Sequence, residues 1–123
     1  MSEPVARLKR RREFLRVAAA RTKAVSPGMV VQALARDDED QQIRVGFTAS
    51  RKVGNAVVRN RARRRLKALA RELLPARGQE RTDYVLIARG ETATRPFEDL
   101  RNDLLQALAR LERDDRRRRE AQP

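Results

Sequence analysis

From Asn55 to Leu74 the apolar residues Val58, Ala62, Leu66, Leu69 and Leu73 recur at helical spacing, the mark of a helix with one buried stripe. Asn55 is a good N-cap, because its side-chain oxygen can accept a backbone N–H left unpaired in the first turn. A shorter helix is predicted over Leu8–Ala20, with Leu8, Arg12, Leu15 and Ala19 along one line and Phe14, Val17 and Ala18 beside them. The period changes to two at Ile43–Ser50, where Ile43, Val45, Phe47 and Ala49 alternate with Arg44, Gly46, Thr48 and Ser50, a strand pattern. Met29–Ala35 reads as another strand, Asp83–Arg89 as a buried one, and Arg21–Val25 as a short third member of the first group. Pro27-Gly28 is turn punctuation. The acidic stretch Asp37–Asp40 is expected to join Met29–Ala35 to Ile43–Ser50 as a hairpin. Gly46, inside a strand, marks either a bulge or a close approach. Pro75–Thr82 reads as a polar connection. Pro96 opens a last helix, Phe97 to about Arg113, with Leu100, Leu104, Leu108 and Leu111 inward and Thr94 as a candidate cap.

These elements predict a single α+β domain of order α-β-β-β-α-β-α. Its helices are expected on one face of a small sheet, leaving the other face or a sheet–helix groove open. The expected boundaries are a flexible N-terminus over residues 1–6, a folded domain over 7–113 and a charged, disordered tail over 114–123. Arg116–Arg119 in that tail are expected to reach RNA opportunistically.

Charge adds the functional content. The formal net charge is +13 over 123 residues, and it is concentrated. Residues 1–23 carry a net +6 and residues 51–75 a net +8, against −2 and +1 for the segments that follow each. Around the side of the central helix opposite its apolar stripe run Arg59, Arg63, Lys67, Asn60, Arg71 and Arg64, with Arg61 and Arg65 at the edge. Like charges at i,i+4 destabilise a helix by a few tenths of a kcal/mol, and no acid relieves this run before Glu72. Such a face makes sense against a polyanion. Arginine supplies 26 of the 30 basic residues, and its planar fork suits phosphate contact and base stacking.

The chain has no Cys and no His, which removes disulfides, thiolate metal sites and the usual general base, and fits a reducing cytoplasm. It shows no membrane-spanning run and no signal-peptide core. Asp37, Asp38, Glu39 and Asp40 form the acid cluster a free-standing Mg²⁺ nuclease would need, but at that position they read as a solvated turn. A ribosomal protein would share the composition. A major-groove DNA reader fits less well, since helix-turn-helix modules expose a few polar residues and normally dimerise on paired half-sites.

The run Ser50-Arg51-Lys52-Val53-Gly54-Asn55-Ala56-Val57-Val58-Arg59-Asn60-Arg61, followed by Arg63-Arg64, resembles the signature of the bacterial ribonuclease P protein subunit. Leu8-Lys9 with Glu13-Phe14, Arg44-Val45-Gly46 and Tyr84–Arg89 extend the resemblance over about residues 7–112. It separates this chain from a ribosomal protein, and it implies a four-stranded sheet with three helices, similar to a ribosomal-protein domain, with a left-handed β-α-β crossover against the usual hand. It further implies the accessory subunit of a catalytic RNA that, with Mg²⁺ held by RNA, removes the 5′ leader of precursor tRNA. On this reading Arg51, Lys52, Arg59, Asn60, Arg61, Arg63, Arg64 and Lys67 contact the catalytic RNA. A groove between the first helix and the sheet, lined by Phe14, Arg10, Arg11, Gln32 and Phe47, holds the single-stranded leader. The implied partners are the catalytic RNA and precursor tRNA, with no DNA and no membrane. Ala18 and Gln32 stand where the family often has aromatics, and Ala62, Arg65 and Ala68 also depart from its usual pattern, so leader contacts rest more on charge and hydrogen bonds.

Overall fold

The computed structural model describes residues 5–122. In chain order it contains β1 (Val5–Arg7), α1 (Arg11–Ala19), β2 (Lys23–Val25), β3 (Met29–Ala35), β4 (Ile43–Thr48), a single 3₁₀ turn (Arg51–Val53), α2 (Ala56–Arg77), β5 (Thr82–Ala88) and α3 (Phe97–Ala121). The α+β class and the expected helices stand. Among the described residues, however, the sheet has five strands rather than four, in the order β1-β4-β5-β3-β2. Within the expected flexible N-terminus, residues 1–4 lie outside the described residues, while Val5 and Ala6 begin β1. That strand runs parallel to β4 with Val5 opposite Ile43 and Arg7 opposite Val45. Leu8 extends the pairing through its N–H to the Val45 carbonyl, 3.0 Å, so α1 starts three residues later than its periodicity suggests. Three residues with a single paired neighbour leave no readable period.

The expected hairpin does not form. β5 lies between β3 and β4, antiparallel to the first and parallel to the second. The central position of β5 accounts for its near-continuous apolar run, since a strand covered on both faces gains nothing from alternation. The acidic loop is folded around Arg36 instead. That guanidinium donates to the Asp40 and Gln42 carbonyls and to Asp38, while Asp38 and Asp40 accept backbone N–H groups from Asp40 and Gln42.

Helices cover both faces, not one. Met29, Val31 and Ala33 of β3, Ile43 and Val45 of β4, and Tyr84, Leu86 and Ala88 of β5 meet Ala62, Leu66, Leu69 and Leu73 of α2 and the leucines of α3 in the main core. On the other face α1 builds a smaller cluster from Leu8, Val17 and Val85, with Phe14, Leu34 and Ile87 against it. A buried Asp83 ties the sheet together, accepting from Arg36 at 2.7 Å and from Arg44 at 2.7 and 2.8 Å. Its hydrogen bonds hold the Arg44 guanidinium above its usual range.

Two helix ends also differ from expectation. α2 runs through Pro75 to Arg77, because a proline one turn from the end removes only one hydrogen bond, on the exposed side of the helix. α3 continues through Asp114–Ala121, the stretch expected to be a disordered tail. Arg119 pairs with Asp115 at 3.2 Å and Arg118 donates to the Thr22 hydroxyl at 2.8 Å, and basic residues in a last turn complement the helix dipole. Pro96, not Thr94, is the N-cap of α3.

Candidate nucleic-acid interface

The basic face of α2 is built by what the helix buries. Asn55 caps it as expected, its Oδ1 accepting the Val58 N–H at 3.0 Å. Gly54 precedes it at φ +150°, where a Cβ would sit 2.9 Å from the Val58 side chain. The motif therefore needs both residues to turn the chain from the 3₁₀ turn into the helix. With Ala62, Leu66, Leu69, Leu73 and Leu74 buried, Arg61 and Arg64 are exposed on the opposite side, and Arg51 and Lys52 are exposed in the turn just before. None of these four takes part in an ion pair among the described residues. The first turn of α2 carries no acid. The positive end of the helix dipole and the cations thus add to one positive potential.

The other sequence-predicted residues of this face are more constrained. Arg59 donates to the Gly54 carbonyl at 3.1 Å, and Arg63 donates to Asn60 Oδ1 at 2.6 Å. Those contacts hold the side chains along the helix surface while leaving donors of each fork free. Lys67 is half-buried, one turn further on. Arg65 is different. Its guanidinium donates to the Thr92 and Arg95 carbonyls and lies 5.7 Å from the Phe97 ring centre, so it clamps α2 to the start of α3. Burial holds its pKa below the usual arginine value. Arg65 belongs to the packing and not to the cationic surface.

Across the sheet, the residues assigned to one groove separate. Phe14 packs on Gly46 so closely that a Cβ there would lie 2.4 Å from the ring, which resolves the Gly46 alternatives in favour of close approach. Glu13 secures the start of α1. One carboxylate oxygen accepts the Lys9 and Arg10 N–H groups at 3.0 and 2.9 Å, and the other meets Arg44 at 3.4 Å. Those backbone hydrogen bonds, with Arg44 as a lesser cause, lower its pKa. Arg10 and Arg11 are exposed beside it, and Gln32 is half-buried on the same face of the sheet. Phe47 is not on that face. Alternation along β4 turns it toward α2, where it packs at the edge of the main core, so it cannot share a groove with Phe14.

What the sequence reading missed is the floor beside α1. The pairings of β4, β5, β3 and β2 line up Thr48, Ile87, Val30 and Val25 in one row across the α1 face. Three of these are half-buried and Val25 is 50% exposed. The row starts two residues before Ser50 and so abuts the basic turn. A shallow apolar strip flanked by cations suits unstacked bases on one side and phosphates on the other. Only the tertiary register could have revealed it.

Among the described residues no group of three or more acidic side chains converges as a metal site, and no helix is long and apolar enough to cross a membrane.

Comparison with known proteins places this geometry in context. A family model described as Ribonuclease P matches residues 3–112. The chain is 49% identical over 114 residues to the ribonuclease P protein component of Paramagnetospirillum magneticum, covering 90% of this chain and 86% of that protein. It is 51% identical over 112 residues to the corresponding protein of Ruegeria pomeroyi, covering 89% of each. Among solved structures, the RNase P protein of Thermotoga maritima aligns with a TM-score of 0.72 at 27% identity, covering 85% of this chain and 96% of that one.

Proposed function

The chain belongs to the bacterial ribonuclease P protein family, and from that premise we propose how its two basic faces divide the work. It is the accessory, non-catalytic protein subunit of an RNA-based endoribonuclease and assists RNA-catalysed removal of the 5′ leader from precursor tRNA. The catalytic RNA docks on the α2 face through Arg51, Lys52, Arg59, Asn60, Arg61, Arg63, Arg64 and Lys67. The observation that carries this assignment is the exposure of Arg51, Lys52, Arg61 and Arg64 on one surface with no acidic partner among the described residues. Those charges lower each other's stability until phosphates neutralise them.

The leader lies on the opposite face of the sheet, between α1 and the turn before α2. Phe14 forms one wall, Arg10 and Arg11 flank it, and Gln32 with the Thr48–Val25 row forms the floor. Phe47 is excluded from this site by its face. Since the row begins beside Ser50–Lys52, a leader seated there would pass close to the RNA docked on α2, which places the substrate strand next to the ribozyme. Mg²⁺ belongs to the RNA in this reading, in keeping with an Asp38 carboxylate already used on Arg36 and the Asp40 N–H and an Asp40 carboxylate already used on the Gln42 N–H. The family's left-handed sense for the β4–α2–β5 crossover is part of the same reading, and the parallel adjacency of β4 and β5 supports the crossover itself. The complex works in the cytoplasm, a compartment in keeping with a chain that has no cysteine.

The direct test is cleavage of precursor tRNA at low millimolar Mg²⁺ by the cognate RNA alone, the protein alone and the two together. Correct 5′ processing that requires the mixture is expected. Cleavage by the protein alone would overturn the accessory assignment, and absence of stimulation would remove the proposed role in substrate handling.

A further inference from the structure

On the α2 side of the sheet, away from the α1 groove, β1 and the C-terminal half of α2 enclose a second depression of about 340 Å³. That volume is within the range of small-molecule sites, which start near 300 Å³. Its floor is apolar, and its rim carries Arg7, Lys67 and Arg71 with no acidic side chain among the lining residues. None of the three cations has an ion pair among the described residues. The Arg7 guanidinium lies 4.9 Å from the Phe47 ring centre, and Arg7 is itself exposed, so one side of the guanidinium is backed by the ring while the other is open. Phe47 is the residue that the sheet register removed from the leader groove, and here it has a different use.

Three cations converging on an apolar hollow repel one another, and a bare anion would satisfy only the rim. A nucleotide satisfies both parts. Its base stacks on an arginine plane, as unpaired bases do, and its phosphate neutralises the remaining charge. Continuity selects the source. Lys67 belongs both to the α2 face and to this groove, with Arg63 one turn before it and Arg71 one turn after it.

We propose that the groove between β1 and α2 captures one unpaired nucleotide of the catalytic RNA, its base stacked on Arg7 with Phe47 as the backing and its phosphate held by Lys67 and Arg71. This rests on the reading of α2 as the RNA-docking helix and extends that surface around the edge of the sheet. Edge strand β1 thereby acquires a role, since it carries Arg7 to the ring.

The test measures affinity for fluorescently labelled ribonuclease P RNA from the same genome. Arg7→Lys keeps the charge and removes the plane, Phe47→Leu keeps an apolar floor and removes the backing, and Arg71→Gln removes a phosphate contact. An Arg61→Ala/Arg64→Ala double variant serves as the reference for the docking helix. Arg7→Lys is expected to weaken binding about fivefold or more, in line with the loss of one stacked base. Combining Arg7→Lys with Phe47→Leu should add little. Arg71→Gln should weaken binding and lower the salt slope by about 0.7 to 0.9. Arg7 and Arg71 are exposed, so the melts of Arg7→Lys and Arg71→Gln should stay at wild type, which keeps the test valid even if Phe47→Leu unfolds.

Wild-type RNA affinity in Arg7→Lys and Arg71→Gln, with weak binding by the Arg61→Ala/Arg64→Ala protein, overturns the groove and leaves the docking helix standing. Wild-type affinity in all of them overturns the docking reading itself. Saturable binding of uridine monophosphate that Arg7→Lys abolishes, without any change in RNA affinity, overturns the RNA as the source and makes the groove a free-nucleotide site.

Discussion

Phe14 and Gly46 act as a pair, because the ring occupies the space a β-carbon would need. Phe14→Ala is expected to lower stability by about 2–3 kcal/mol, less than for a fully buried ring, and to weaken binding of leader-bearing precursor tRNA relative to mature tRNA. Gly46→Ala displaces the same ring without deleting it and should reproduce the leader defect. Equal affinity of both variants for the two substrates would remove Phe14 from the site. Tyr84 supplies a separate check on the core. Burial pushes its phenol up to about 12, while its oxygen accepts the Gln79 N–H at 3.0 Å. A raised folded-state value means the native protein holds a proton that the unfolded chain releases near pH 10. Stability should therefore be complete below about pH 10 and fall by on the order of 2–3 kcal/mol as pH rises toward 12. Urea unfolding across that window should show the fall, and Tyr84→Phe should flatten it. Arg65 carries the caution of this scale. By residue type it is one more cation on a basic helix, yet its two carbonyl contacts make it part of the α2–α3 joint.

As an element, α2 separates stability from binding around its circumference. Arg61→Ala/Arg64→Ala should leave the melt nearly unchanged, because both side chains are exposed and unpaired among the described residues, while affinity for the catalytic RNA falls at least tenfold. Comparable losses in the melt would make those residues structural. The α2–α3 contact is the stabilising counterpart. Phe97 is flanked by Arg65 and Arg101 at 5.7 and 5.3 Å, and Arg101 also reaches Glu72 at 3.1 Å. The start of α3 is fixed by buried Asp103, which accepts from Arg95 at 2.7 Å and from the Gly28 N–H at 3.1 Å. Such contacts orient α2 against the sheet, and so aim its basic face.

At the scale of the whole molecule, charge is sorted by position along the sheet. The acidic loop opens β4 and the basic turn closes it, about 20 Å away for a six-residue strand, so the repulsive segment stands clear of the phosphates. Binding to the catalytic RNA should accordingly be steeply salt-dependent. Seven cations on the α2 face give an expected slope of roughly −5 to −6 in log affinity against log salt, measured between 50 and 300 mM monovalent salt. A slope near zero would refute the basic-face assignment.

The sequence by itself determined α2 almost completely: its cap at Asn55, its buried stripe, its exposed arginines and the motif that ties it to a family. All of these follow from spacing within a few turns of one helix, where neighbours in sequence are neighbours in space. It also determined strands over Ile43–Ser50 and Asp83–Arg89, which the structure bounds at Ile43–Thr48 and Thr82–Ala88. The tertiary structure alone decided which strands meet. Insertion of β5 between β3 and β4, the pairing of β1 and the Thr48–Ile87–Val30 part of the row to Val25 depend on partners dozens of residues apart. A period of two divides a strand's residues between two faces without saying which helix covers either. For that reason nothing in the sequence could test the single groove that the resemblance implied for Phe14 and Phe47, and the sheet places the two rings on opposite sides.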